Sequence, residues 1–124
     1  MRTNDIDGCI AKAAELGIDM GRATPLKRGV LNWRFSLRGD GTIPLNGAAP
    51  LIIQWDTPGP HPAGNMPDLG LRLHRLSITT PHADELRALL AGLGMSDFPD
   101  IIRGDAFHMA ARLVLPDGKE ATLT

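Results

Sequence analysis

Residues 78–94 read ITTPHADELRALLAGLG, and this stretch decides the fold because a helix with recognisable ends can be read in it. An apolar stripe at helical spacing is formed by Leu86, Leu89, Leu90 and Leu93. Thr80-Pro81 is typical of an N-cap followed by a proline at the first helical position. Gly94 stands where a left-handed glycine ends a helix. A strand-like run from Leu71 to Thr79 precedes this helix, so this part of the chain predicts a strand followed by a helix.

The same pattern occurs a second time near the start of the chain. Shifted by 77 positions, residues 1–17, MRTNDIDGCIAKAAELG, align with residues 78–94. Identical pairs then include Thr3 with Thr80, Asp7 with Asp84, Leu16-Gly17 with Leu93-Gly94, and Asp40-Gly41 with Asp117-Gly118. Their shared offset and order favour an internal repeat. The first copy predicts a helix over about residues 4–16, with Thr3 or Asn4 as its N-cap.

Strands are predicted after each helix. Val30 to Leu37 alternates, with Leu31, Trp33, Phe35 and Leu37 on one face and Asn32, Arg34 and Ser36 on the other. Further strands are predicted at residues 51–56, 101–102, 107–115 and 120–123, whereas residues 19–29 have a mixed pattern.

Four prolines make residues 57–69 a linker. The chain therefore divides into a first unit at residues 1–56 and a second at residues 70–124, each read as strand, helix and three strands. The first unit lacks most of its leading strand, so we expect the chain to begin partway through a structural unit.

Composition limits the function classes. The chain has 124 residues, with 13 Lys+Arg against 14 Asp+Glu and a net charge of −1, so we expect no nucleic-acid or anionic-membrane partner. No apolar run approaches the length of a membrane span. The lone cysteine, Cys9, excludes an internal disulfide framework and suits a reducing compartment, which favours the cytoplasm.

Tandem βαβββ units resemble the vicinal oxygen chelate superfamily, which includes the glyoxalases, bleomycin-resistance proteins and dioxygenases. Within it, the chain resembles the C-terminal portion of glyoxalase-like domain proteins, over nearly its whole length. The resemblance rests on Asp5-Ile6-Asp7, Arg28-Gly29-x-Leu31-x-Trp33-Arg34, Pro50-Leu51-Ile52-x-Gln54-Trp55, His61-Pro62 and Leu73-x-x-Leu76-x-Ile78. It implies an α+β fold, with a curved mixed sheet forming a cup and two helices on its outer face.

The resemblance also implies where metal ligands would come from, and here the chain departs from the pattern. The first-unit ligand position falls on Gln54, and the usual glutamate position of the second unit falls on Thr122. His74 is a further candidate, but alternation places Leu76 and Ile78 toward the helix and His74 with them. One glutamine, a doubtful histidine and no carboxylate would hold a divalent ion poorly, so a metal cofactor is disfavoured.

Polar residues inferred to face the cup are the candidate substrate ligands. Arg34 is the first of them because its planar fork suits a carboxylate or enolate, although a salt-bridged surface arginine fits the same pattern. The full candidate set is Asn32, Arg34, Gln54, His61, Arg75 and Arg112. His61 could also act as a general base, and His108 shares the alternation of Arg112. Trp33 and Trp55 are interpreted as core residues.

Three functional hypotheses remain open. The first is a cup that acts on, or binds, a small carbonyl or enolisable compound. The second is a non-catalytic module that binds or sequesters small molecules, and the third is an inactive fragment of a longer glyoxalase-like protein. An unpaired strand edge further predicts a homodimer, formed by swapping or by edge pairing.

Overall fold

The structure, a computed structural model, describes residues 1–95 and 97–124. Within these residues, two helices and seven strands follow in the order α1 (Ile6–Glu15), β1 (Arg22–Arg28), β2 (Leu31–Leu37), β3 (Ile53–Trp55), β4 (Arg72–Thr80), α2 (Ala83–Gly92), β5 (Asp100–Arg103), β6 (His108–Val114) and β7 (Glu120–Leu123). Short 3-10 turns lie at Leu45–Gly47 and Pro62–Asn65. The predicted α+β class is confirmed.

The strands form two hydrogen-bonded sheets. The first is antiparallel, in the order β1-β2-β3. The second is mixed, in the order β5-β4-β6-β7, because β4 pairs in parallel with β5 and antiparallel with β6. At the outer side of β3, the backbone nitrogen of Thr3 donates to the carbonyl oxygen of Ile53 at 2.9 Å. The N-terminal segment therefore continues the first sheet beside β3.

The offset of 77 is visible in three dimensions. The helices start at Ile6 and Ala83, and β2 and β6 start at Leu31 and His108, so both pairs are 77 residues apart. Strand pairing does not repeat, however: β1 lies beside β2, whereas β4 separates β5 from β6. The units share element positions but differ in sheet topology.

Both helices end at the glycines predicted from the sequence, but neither begins at its predicted N-cap. Gly17 and Gly94 adopt φ of 76° and 77°, and only the left-handed region, which glycine enters freely, provides such angles. Asp5, and neither Thr3 nor Asn4, caps α1, because its carboxylate accepts from the Gly8 nitrogen at 2.9 Å.

In the second unit, Thr80 accepts from the backbone nitrogen of His82 at 3.2 Å, and α2 starts only at Ala83. Thr80-Pro81 is therefore a turn before the helix, and the predicted N-cap there is wrong. A Thr-Pro pair is equally compatible with a turn in which the threonine hydroxyl accepts from the backbone nitrogen two residues later.

β1 was not predicted. Pro25 and the charges of Arg22, Lys27 and Arg28 obscure its alternation. The strand tolerates Pro25 because it lies at the edge of its sheet, where a proline needs no partner for its missing N–H.

The core lies between the helices and the sheets, in two neighbouring clusters. Under α1, the buried side chains include Ile6, Ala13, Met20 and Ile52, joined by Leu89 from α2. Under α2, Ile78 packs with Leu86 and Leu90. Leu45 contacts both clusters. The two units therefore share one hydrophobic interior.

Candidate functional site

Each sheet has a helix-covered face and an open face, which we define as the face turned away from α1 or α2. In β2, alternation correctly predicts which residues share a face. Ser36 is buried and accepts from the Ile52 nitrogen at 2.9 Å, and Ile52 packs on Ile6 of α1. The polar set Asn32, Arg34 and Ser36 therefore lies on the side of α1.

This placement corrects the expectation for Arg34, which was assigned to the cup interior. Its guanidinium donates to both carboxylate oxygens of Asp56, at 3.0 to 3.2 Å, and to Asp7 of α1 at 3.2 Å. The Asp56 hydrogen bonds chiefly raise the pKa of Arg34 above its ordinary value. Arg34 thus ties β2 and β3 to the first turn of α1.

Gln54 lies on the same side, and Asn32 shares the alternation of Ser36 along β2. The Gln54 side-chain oxygen accepts from the Ile6 nitrogen at 2.8 Å. The backbone nitrogen of Asn32 donates to the Thr57 hydroxyl at 2.6 Å. The expectation that these residues share an open polar face is wrong. Their part in substrate binding stays a prediction, while their observed contacts join secondary-structure elements.

The tryptophans, expected in the core, lie on the open face instead. Trp33 pairs with Trp55 across the strands, with ring centroids 5.4 Å apart, and both are half-buried. The His61 ring stacks on Trp55 at 5.4 Å and 22°. The inversion has a steric reason, because small residues such as Ala23 and Ser36 let α1 approach the sheet more closely than indole rings would.

In the second sheet, the helix-facing positions predicted for Leu76 and Ile78 are confirmed. Ile78 packs against Leu86 and Leu90, and Leu76 lines the same apolar space beside α2. Arg75 and Ser77 consequently lie on the open face. An apolar groove of about 190 Å³, open to solvent, lies beside α2 and β4.

The open face of the second sheet carries a small polar pocket of about 80 Å³. It is lined by Arg75, Ser77, Ala110, Arg112 and Thr122. The register explains the assembly, because Arg75 pairs with Arg112 and Arg112 pairs with Thr122 in one row across three strands. Two of the predicted substrate ligands, Arg75 and Arg112, are brought together here.

Two arginines directly opposite each other are an unfavourable cross-strand pair unless anions lie near them. Arg75 contacts the carboxylate of Asp100, and Arg112 lies 3.7 Å from the carboxylate of Glu120. Both guanidiniums remain about half exposed, at 57% and 47% of their side chains. Each arginine at the pocket therefore has one carboxylate near it, while about half of its side chain stays exposed to solvent.

His74 sits in a β-bulge beside this pocket. The register of β4 and β6 shifts between Leu73 and Arg75, so His74 and Arg75 together lie opposite Arg112. Strict alternation, which grouped His74 with Leu76 and Ile78, fails here because the bulge resets it. A bulge leaves little signal in the sequence.

The divalent metal site of the superfamily requires ligands that converge. Gln54 bonds to the first turn of α1, whereas Thr122 and His74 belong to the second sheet. Within residues 1–95 and 97–124, no cluster of three or more His, Cys, Asp or Glu side chains could hold a metal ion. The residues present do not fit a divalent ion.

The remaining histidines are placed as follows. His108 pairs with Thr79 on the open face, as its alternation predicts. His82 was not a candidate, yet its ring contacts the Asn46 side chain at 3.1 Å and Glu85 at 3.2 Å. No helix in the described ranges has the length and hydrophobicity needed to cross a membrane.

Comparison with known proteins agrees with this fold. The chain matches the family model described as a glyoxalase-like domain over residues 1–94, which is 94 of its 124 residues. The match includes Arg75 and Ser77 but not Arg112 or Thr122. No curated protein sequence matches the chain significantly. On the family match, the chain belongs to the glyoxalase-like domain family of the vicinal oxygen chelate superfamily.

Proposed function

We propose that this domain binds a small carboxylate-bearing carbonyl or enolisable compound in the pocket of Arg75 and Arg112. One observation carries the proposal: two half-exposed arginines, Arg75 and Arg112, are cross-strand partners in the backbone register and line the same pocket. A carboxylate between them offsets their repulsion and accepts charge-assisted hydrogen bonds. Ser77 and Thr122 add hydroxyl groups at the same pocket.

The size of the pocket suits one end of a small ligand. The pocket has a volume of about 80 Å³ and is open to solvent, so it can admit one end of a small ligand. A carboxylate fits that space, and the rest of the ligand then extends over the open face. A 2-oxo acid such as pyruvate matches this description.

Binding without turnover is the role that the lining supports best. Its side chains are guanidiniums, hydroxyls and a methyl group, which stabilise an anion but offer no good proton acceptor at neutral pH. The lone Cys9 and the absence of a net basic charge support a cytoplasmic small-molecule binder.

A second function, enolisation of the bound compound, is favoured by the position of His74. The register shift at His74 puts its backbone next to Arg75, on the strand that pairs with Arg112. A histidine there could remove a proton next to the carbonyl while the arginines stabilise the enolate oxygen. His74 is then the general base, and Arg75 and Arg112 are the anion-stabilising groups.

The binding test uses pyruvate and its uncharged analogue hydroxyacetone, followed by NMR chemical-shift titration. We expect pyruvate to bind and Arg112→Gln to weaken it about tenfold, because a hydrogen bond to a charged group contributes about 1.5–3 kcal/mol. Arg28→Gln, an exposed arginine on β1, is the control and should bind as the unchanged protein does. Equal binding of hydroxyacetone, or no effect of Arg112→Gln, would contradict the proposal.

The same samples separate binding from enolisation. In D₂O, enolisation replaces the methyl protons of pyruvate with deuterium and removes their NMR signal, whereas simple binding returns the compound unaltered. If exchange occurs, His74→Gln should abolish it while leaving pyruvate affinity nearly unchanged. Exchange that persists in His74→Gln would rule out this histidine as the base.

A further inference from the structure

Most edges of the two sheets are blocked by their own chain. At β1, Pro25 provides no N–H, and Arg22, Lys27 and Arg28 add charge. At β3, the outer edge is paired with Met1 to Thr3. At β5, the Arg87 side chain from α2 donates to the carbonyl oxygen of Ile101 at 2.7 Å.

The edge formed by β7 differs from these three. Its sequence, Glu120-Ala121-Thr122-Leu123, contains no proline, lysine or arginine. Within the part of the chain that the structure describes, no hydrogen bond reaches its outer side. On the helix-facing side of this end of the sheet, Leu123 and Met109 are 60% and 49% exposed. Exposed apolar side chains beside an open edge favour addition of another strand.

We propose that β7 pairs antiparallel with β7 of a second copy of this chain, with the two-fold axis passing Ala121. A two-fold axis perpendicular to the sheet keeps the open faces of both copies on one side. In this register, Glu120 of each copy lies opposite Thr122 of the other. The result is a continuous eight-stranded sheet made of two four-stranded halves.

Charge complementarity supports this register. Arg112 pairs with Thr122 within one chain, so the partner's Glu120 continues the same row at the next strand position. Neighbouring strands lie about 4.8 Å apart, and therefore the long side chains of Arg112 and the partner's Glu120 can meet over Thr122. The two-fold axis creates this ion pair twice.

The pairing also completes the arginine pocket, a step that rests on the proposed function. In one copy, Thr122 forms the last side of the pocket, at the sheet edge. The second β7 adds a wall beyond Thr122 and moves the pocket from the edge to the middle of a larger sheet. Each dimer then has two related pockets on one face, and in each of them the half-exposed Arg75, three strand positions from the partner's Glu120, stays available to the ligand carboxylate.

Cysteine cross-linking tests the register directly. At the two-fold axis, residue 121 faces itself, and opposed residues on antiparallel strands have Cα atoms about 4.5–5.5 Å apart, within the range of a disulfide. Ala121→Cys in a Cys9→Ser background should therefore form a covalent dimer on mild oxidation. Val30→Cys, 84% exposed at the β1–β2 turn, is the control for random collision and should cross-link far less.

Light scattering during size-exclusion chromatography tests the association itself. We expect the unchanged chain to elute at twice the mass of one copy and Leu123→Lys to elute as a monomer, because a lysine on an edge strand opposes pairing. Leu69→Lys, at a leucine 70% exposed in the loop before β4, should remain dimeric. A monomeric unchanged chain, or a dimer that Ala121→Cys does not link, overturns the proposal.

Neither readout depends on a ligand, so this proposal and the proposed function fail separately. A dimer that does not bind pyruvate contradicts only the binding site. A monomer that binds pyruvate, with the expected effect of Arg112→Gln, contradicts only the pairing of β7.

Discussion

The side-chain oxygen of Gln54 lies 2.8 Å from the backbone nitrogen of Ile6 and accepts its hydrogen bond. The first backbone N–H groups of a helix have no acceptor within the helix. Gln54 supplies such an acceptor from β3. A residue at the position expected for a metal ligand therefore fixes α1 to the sheet.

Replacing Gln54 by leucine should lower the free energy of unfolding by about 1 kcal/mol, because the Ile6 nitrogen loses its acceptor. Gln54→Glu keeps an acceptor and places a negative charge at the N-terminus of α1, so its effect should be near zero or stabilising. Urea denaturation measures both. Equal stability of the leucine and glutamate variants would contradict the role of this hydrogen bond.

Arg34→Met should lower the thermal midpoint and leave pyruvate affinity unchanged. The substitution removes the link from β2 to Asp56 and Asp7, but it leaves the open face untouched. Arg112→Gln should show the opposite pattern, with reduced affinity and little change in midpoint. Thermal melts and NMR titrations of both variants check this, and a loss of affinity in Arg34→Met would return that residue to the binding site.

Alanine substitutions at Gly17 and Gly21 separate the free-energy cost of a left-handed backbone from the cost of a steric clash. Both have positive φ, 76° and 77°. A Cβ at Gly17 has nothing within 4 Å, so Gly17→Ala should cost about 1–2 kcal/mol for the left-handed conformation alone.

A Cβ at Gly21 would lie 2.1 Å from the carbonyl oxygen of Leu37, which is backbone and cannot move aside cheaply. Gly21→Ala should therefore cost at least about 3 kcal/mol, the upper range of overpacking. Chemical denaturation ranks the two variants, and a Gly21→Ala variant as stable as Gly17→Ala would show that this end of β1 can shift.

Asp68 gives the protein a pH dependence in acid. Hydrogen bonds from Arg72, and then from the Gly70 nitrogen, lower the pKa of its carboxyl to about 2 from an ordinary 3.8. The folded state thus favours the carboxylate, and the stabilisation is complete above pH 3.8 and is lost as the pH falls toward 2.

Unfolding free energies of the unchanged protein and Asp68→Asn should accordingly differ near neutral pH and converge near pH 2. In an Arg72→Gln background the difference should shrink, because the largest cause of the lowered pKa is gone. A difference between the two proteins that does not change with pH would refute this assignment.

The sequence predicted which side chains share a face better than it predicted which face a helix covers. Alternation grouped Arg34 with Ser36, and Trp33 with Phe35, as the structure has them. It also suggested that the bulky apolar set lies in the core. In the structure the set that contains Ser36 faces α1 instead, because Ser36 allows a close approach of the helix that Trp33 would prevent.

Local interruptions account for the other differences. Pro25 concealed an edge strand, and the bulge at His74 shifted the alternation of β4. By contrast, Arg75 and Arg112 were both predicted to face the ligand side, and the pairing of β4 with β6 brings them together. The proximity of these two arginines depends on how two distant strands pair, and alternation within single strands does not encode that pairing.

Leu89 belongs to α2, yet it is fully buried among Ile6, Ala13 and Ile52 of the first unit. Two units with separate cores would each unfold at their own temperature. With Leu89 in the other half's interior, neither half keeps a closed core when the other opens, so the protein should unfold in one cooperative transition. Although helix and strand starts recur at an offset of 77 residues, the shared buried contacts should make the molecule one thermodynamic unit.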